Sequence, residues 1–179
     1  MKGILSATTL FALVAGLVSA APLEKRSNNI PADSNVLVIT NPAPHNIVPN
    51  PPGSSGGIVQ IVNGNNEIDT IVSFTLSPAP NPGSTCQFYM QNLDTVSGSG
   101  IVQLFSLGYE LSVGNIPYYD QYEGQYDLNT NPSTAIDRPT VPCTLNNGNP
   151  QFVIRPQNTD DTVTWTQSAS SGAFLLYTP

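Results

Sequence analysis

Along most of this chain, apolar and polar residues alternate in short runs that end at Gly, Pro or Asn. In Thr162-Val163-Thr164-Trp165-Thr166 the period of two would turn Val163 and Trp165 toward a core and the threonines toward water. The same phase groups Val72, Phe74 and Leu76 on one face of a strand, and Cys86, Phe88 and Met90 on one face of the next. Strands are expected at Ile58 to Val62, Thr70 to Leu76, Cys86 to Leu93, Ile101 to Leu107, Gln151 to Arg155, Thr162 to Gln167 and Ala173 to Tyr177. Asn63-Gly64-Asn65-Asn66 between the first two reads as a hairpin tip. No window sustains a helical period without an interrupting Gly or Pro, so the fold class expected is all-β, an antiparallel two-layer β-sandwich.

The two ends of this pattern differ from its middle. Met1 to Arg26 reads as a secretion address: Lys2 is the positive n-region, Ile4 through Val18 the apolar core, and Val18-Ser19-Ala20 the small-residue cleavage pattern. The apolar core is shorter than the roughly 20 residues a bilayer span needs. The expected organisation is a signal peptide over residues 1–20 and a short pro-segment over 21–26, ending in the dibasic site Lys25-Arg26. A Pro-, Asn- and Ser-rich segment follows over 27–57, with one short strand near Val36 to Ile39, and the sandwich domain over 58–179. No second apolar run follows, so no membrane association is expected after signal cleavage, and the location expected is extracellular or cell wall.

Loss of residues 1–26 would remove Lys2, Lys25 and Arg26 together with Glu24, leaving Arg138 and Arg155 against eleven acids. Such a surface repels phosphate backbones, which excludes nucleic acid as a partner. Charged residues are only 9% of the chain, and uncharged amides and hydroxyls take their place. That composition suits contact with polysaccharide. No usable N-glycosylation sequon is present, because Pro132 blocks Asn131-Pro132-Ser133.

Cys86 and Cys143 are the two cysteines, and in an oxidising compartment they are expected to form one disulfide. A metal or thiol-nucleophile role lacks helpers, since His45 is the single histidine and lies among prolines.

Gly108 to Thr134 breaks the strand rhythm. It holds Tyr109, Tyr118, Tyr119, Tyr122 and Tyr126 of the seven tyrosines, interleaved with Glu110, Asp120, Glu123 and Asp127. As the longest poorly patterned stretch it is the candidate functional loop, with Tyr118, Tyr119, Tyr122 and Tyr126 as a candidate binding surface. The plainer reading is a long connection in which one or two tyrosines cap the core. Asp120, Glu123 and Asp127 are the candidate calcium ligands, but the spacing of an EF-hand is absent and a solvated acidic loop explains them as well. No cofactor is expected.

Enzyme motifs fare worse. Ile68-Asp69-Thr70 and Leu93-Asp94-Thr95 resemble the start of an aspartic-protease strand, but Ile71 and Val96 stand where glycine is required. Gly98-Ser99-Gly100 lacks the surroundings of a nucleophile elbow and reads as a flexible turn, while Asp160-Asp161 reads as a turn whose side chains satisfy local backbone groups. No enzymatic activity is expected.

Ser73-Phe74-Thr75-Leu76 through Ser84-Thr85-Cys86-Gln87-Phe88, then Gly100-Ile101-Val102-Gln103-Leu104-Phe105, Cys143, Gln151-Phe152 and Asp161-Thr162-Val163-Thr164-Trp165 carry a family likeness. Over roughly Gly57 to Tyr177 the chain resembles the fungal But-two family, the C-terminal domain family of the ubiquitin-three-binding protein. The resemblance implies a β-sandwich and a fungal extracellular or cell-wall location. It supplies no active-site residue. A ubiquitin-like partner is discounted because the leader directs the chain outward. Two functions are therefore expected in order: a non-catalytic extracellular or cell-wall-associated protein that binds polysaccharide, and a secreted interaction module, effector or inhibitor, that binds another protein through the tyrosine-rich segment.

Overall fold

The computed structural model describes residues 28–31, 37–40, 46–49, 56–76, 79–81, 83–107, 119–144 and 150–177. The leader with Ala20, Lys25 and Arg26, the single histidine His45, and Tyr118 lie outside the described residues. Among the described residues there is no helix, and the chain runs through strands Asn28–Pro31 (β1), Leu37–Thr40 (β2), Asn46–Pro49 (β3), Gly56–Val62 (β4), Asn65–Ser73 (β5), Thr85–Gln91 (β6) and Thr95–Ser97 (β7). It continues through Ile101–Leu107 (β8), Tyr119–Asp127 (β9), Thr134–Ala135 (β10), Val141–Pro142 (β11), Gln151–Pro156 (β12), Thr162–Thr166 (β13) and Gly172–Tyr177 (β14).

These strands form two antiparallel sheets. The smaller has the order β1-β14-β6-β11 and the larger β10-β9-β8-β12-β5-β4-β13-β7, with β2 also pairing on β5 and β3 on β2. The segment before residue 58 thus contributes strands to both sheets. Its prolines rule out helix yet allow strands at sheet margins, where a missing N–H breaks no ladder. Pro31 and Pro49 end β1 and β3, which pair on one side only with β14 and β2.

The core forms where the sheets face each other. Phe88, Met90, Ala173, Leu175 and Tyr177 from the smaller sheet meet Val72, Leu104, Tyr126, Phe152, Ile154, Val163 and Trp165 from the larger. Phe88 is the aromatic centre of this contact, with ring centroids 6.4 Å from Phe74, 5.0 Å from Tyr126 and 6.3 Å from Phe152. Each such side chain contributes about 1.5–3 kcal/mol by leaving water. The alternation in β13 holds as read, with Val163 and Trp165 buried and the threonines at least partly exposed. Phe152, Val153 and Ile154 are buried in succession, because this stretch of β12 is covered on both faces.

Three local devices fix the frame. At the β4–β5 tip Asn63 and Gly64 both take positive φ, 50° and 68°, the left-handed pair that a two-residue hairpin needs. The disulfide Cys86–Cys143 joins β6 to the residue after β11, whose ladder to β6 is only Val141↔Cys86 and Pro142↔Thr85. Gly57 lies directly opposite Trp165 in the β4–β13 ladder. A Cβ there would fall inside the indole, against Cζ2, Cε2 and Cη2, so the buried ring uses the space that glycine leaves.

One expectation is corrected here. Tyr119–Asp127 is a strand of the larger sheet and not a loop. Gly98-Ser99-Gly100 is a turn, as read, and it is tethered: the buried Asp161 carboxylate at the start of the neighbouring strand accepts from Ser99 N (2.5 Å), Ser99 Oγ (2.8 Å) and Asn158 N (3.0 Å). Asp161 thereby serves backbone groups in its own turn as well, as expected of its position.

Candidate functional site

The face of the larger sheet turned away from the main core carries a second, smaller cluster. Strand alternation brings Ile71 of β5, Val153 of β12 and Leu107 of β8 together there, with Phe105 and Tyr119 packed against them. The registers Ile71↔Val153, Val153↔Phe105, Phe105↔Tyr122 and Leu107↔Tyr119 show how four neighbouring strands supply it.

Two irregularities in the β8–β9 ladder decide where the tyrosines go. A strict period of two would put Tyr122 and Tyr126 on the same face and Tyr119 on the other. The register shifts between Leu104 and Phe105, and again between Phe105 and Leu107. The first reverses the phase, leaving Tyr126 opposite Val102 in the core and turning Tyr122 outward beside Phe105; the second brings Tyr119 out beside Leu107. Gly124, at φ 144°, stands at the first shift, in a conformation a side chain would resist. Of the four candidate tyrosines, Tyr119 and Tyr122 are therefore brought together and partly exposed, and Tyr118 lies outside the described residues. Tyr126 is corrected: at 0% exposure it is a core residue and cannot meet a ligand.

Around these rings stand the two arginines of the sandwich. Extending the β5–β12 register by one residue brings Arg155 beside Asp69. Arg155 donates to Glu67 Oε1 through both Nε, at 2.7 Å, and Nη2, and its Nε is 3.3 Å from Asp69 Oδ2. Its guanidinium carbon also lies 5.0 Å from the ring centre of Tyr119 and 5.8 Å from that of Phe105. Phe105 stacks on Tyr119 at 5.7 Å and meets Tyr122 edge-on at 5.6 Å. Arg138 lies 5.0 Å over the Tyr122 ring and donates to Tyr122 O, while the Tyr122 hydroxyl donates to Asp137 Oδ2 at 2.5 Å. Each arginine thus rests on an aromatic face, and Arg155 is also paired with the Glu67 and Asp69 carboxylates.

The electrostatics follow from this packing. Asp69 is 1% exposed, accepts the Tyr119 hydroxyl on Oδ2, and has no partner at all on Oδ1. Burial pushes its carboxyl up to about 7; the Tyr119 hydrogen bond opposes this and the nearby Glu67 carboxylate adds to it. Tyr119 is held far above its ordinary value by burial and then by the Asp69 charge. Tyr122 is pushed up to about 12 by burial and by its bond to Asp137. On Asp137 burial is the largest single effect and works upward, but the bonds from Tyr122, the Gln125 N–H and neighbouring backbone together outweigh it and hold the carboxyl below the usual range.

The calcium candidates are not gathered. Asp120 is exposed, Asp127 at the far end of β9 accepts from Asn129 N and Nδ2 at 2.9 Å, and Glu123 is 3% exposed with Oε1 unpartnered. Burial raises the Glu123 carboxyl, against the pull of Ser106 and Arg138. Among the described residues no three His, Cys, Asp or Glu side chains come close enough to hold a metal ion.

Sequence reading missed Glu67, Asp69, Phe105, Asp137, Arg138 and Arg155 as one surface. A usable signal existed: pairing the Thr70 and Ile154 strands places the sole arginine of β12 beside the dismissed Asp69. No family model, curated protein or solved structure matches this chain. Among the described residues no helix is long and apolar enough to cross a membrane.

Proposed function

We propose that this is a non-catalytic secreted protein of the fungal wall or extracellular matrix, a member of the But-two C-terminal type, which binds neutral polysaccharide through the outer face of its larger sheet. The observation that carries the reading is the ring cluster Phe105, Tyr119 and Tyr122, partly exposed and flanked by Arg138 and Arg155. Ring edges and stacked guanidinium groups offer apolar contact and N–H donors to sugar hydroxyls, and the acidic surroundings disfavour anionic glycans. The Met1 to Arg26 leader and the Cys86–Cys143 disulfide support an oxidising, extracellular setting.

A second reading, a secreted effector or inhibitor that grips another protein, draws support from Ile136, which is 50% exposed immediately before Asp137 and Arg138. Tyr, Arg and an exposed aliphatic together are also what protein contacts favour. Co-sedimentation of the mature protein with insoluble β-glucan and chitin separates the two. Retention that is lost in Tyr122→Ala and Phe105→Ala, both still folded, supports polysaccharide binding. Silence on every glycan, with one extracellular protein captured through the same residues, transfers the site to the second reading. Turnover of chromogenic glycosides or peptides by pure protein would overturn the non-catalytic assignment.

A further inference from the structure

Asp69 is buried with its Oδ1 unpartnered, while its Oδ2 meets Tyr119 and Arg155. Around one guanidinium, that of Arg155, stand two carboxylates from the same face of β5, Glu67 and Asp69. Glu67 accepts both Nε and Nη2 on its Oε1 and keeps the arginine neutralised. If Asp69 were also ionised, a net negative charge would sit on a residue almost removed from water, with Oδ1 lacking any donor. Tyr119 and the shared Arg155 compensate such a charge only in part, and the cost of burying it outweighs them. A proton on Asp69 removes it, and the adjacent Glu67 carboxylate is placed to accept the resulting hydrogen bond.

Among the described residues, no other strand packed on this point supplies a charge to change the balance. In sequence, β8 over Ile101–Leu107, β2 over Leu37–Thr40, and β4 over Gly56–Val62 carry no titratable side chain. The groups that face Asp69 are Glu67 on its own strand, Arg155 from β12 and Tyr119 from β9. Tyr119 is the first residue of β9, so its hydroxyl on Asp69 anchors the strand's beginning to β5 across two intervening strands.

We infer that Glu67, Asp69, Tyr119 and Arg155 form an acid-closed clasp, which pins the start of β9 and its ring cluster while Asp69 carries a proton and loosens when that proton is lost. Because burial raises this carboxyl in the folded state alone, the folded protein holds the proton over a pH range in which the unfolded chain has released it. Stability from this group is therefore complete in acid, declines as pH rises above the ordinary aspartate range of about 4, and is gone above the folded value. Within that window the folded-to-unfolded ratio falls by up to about tenfold per pH unit. A consequence that rests on the proposed binding face is that polysaccharide is held better at pH 5 than at pH 8.

The experiment needs no ligand. Thermal melts of the mature protein between pH 4 and 9 are compared with those of Asp69→Asn, which keeps an acceptor for Tyr119 without a titrating group. Glu123→Gln controls for the other raised acid. The expected result is a wild-type melting temperature that falls from pH 5 to pH 8, and an Asp69→Asn protein with a flatter profile that overtakes wild type by pH 8. Amide exchange at Tyr119 to Tyr122, corrected for its intrinsic pH dependence, should rise over the same range in wild type only. An Asp69→Asn profile parallel to wild type would overturn the clasp. If the variant does not fold, the carbon-13 carboxyl resonance of Asp69 in wild type decides: a midpoint near neutrality supports the clasp and one near pH 4 refutes it. Failure of glycan binding at pH 5 would instead count against the binding face and leave the clasp intact.

Discussion

Replacing Gly57 by alanine puts a methyl group where the indole of Trp165 already is. A Cβ at this position would lie 2.6 Å from Cη2 and closer still to Cζ2 and Cε2, inside the 3.0 Å that side-chain carbons essentially never breach. The ring cannot swing away into solvent, because Trp165 is 1% exposed and its strand is held on both sides, by β4 and β7. Overpacking of this kind costs about 1–3 kcal/mol, and a rigid ring against backbone belongs at the upper end. With a urea slope of about 2 kcal/mol/M, a loss of about 3 kcal/mol lowers the unfolding midpoint by about 1.5 M. Trp165 is the single tryptophan, so its emission reports on the perturbed site and on global unfolding together. The decisive measurement is a double-mutant cycle with Trp165→Phe, which removes the atoms that the new methyl strikes. Gly57→Ala should cost at least about 1 kcal/mol less in the Trp165→Phe background than in wild type. An equal cost in both backgrounds, or a cost in wild type below about 0.5 kcal/mol, would refute the steric argument.

Four further outcomes follow from particular contacts. Cys86→Ala with Cys143→Ala opens a loop with a sequence separation of 57, so unfolding by urea should show a loss of about 4 kcal/mol, matched by reduction of wild type. Asp161→Ala should cost about 3 kcal/mol and accelerate amide exchange at Ser99 and Asn158, whose N–H groups it leaves without their acceptor. Tyr126→Phe should change stability by less than about 1 kcal/mol, since its hydroxyl reaches Arg138 O only at 3.4 Å, while Tyr119→Phe should cost about 2 kcal/mol by stripping Asp69 of its hydroxyl donor.

The parts of this fold that were legible in the sequence are those where one face alone is buried. Ile101 to Leu107 forms a strand with the boundaries read from its pattern, and Val163 with Trp165 faces the core as the alternation requires. The β4–β5 hairpin was carried by Asn63-Gly64, a pair with few other uses. β9 was hidden for a physical reason: two register shifts in nine residues break the period, and Tyr, Gln, Glu and Gly do not mark an inner face. Prolines concealed β1 and β3, because marginal strands tolerate a residue that central ones reject. The polar cluster was concealed by distance along the chain, since Asp69 and Arg155 become neighbours only through the pairing of β5 with β12.

The outer margin of β9 is paired with β10 only at Tyr126 and Asp127. Beyond that point the chain's own side chains and backbone fill the vacancy: Asp137 accepts from Gln125 N, Ile136 N donates to Gln125 O, and Arg138 donates to Tyr122 O. Another molecule's strand seeking to zip onto this rim would first have to evict an aspartate and an arginine from their posts. Crowding many copies side by side is thus met with a built-in guard against cross-molecular sheet growth.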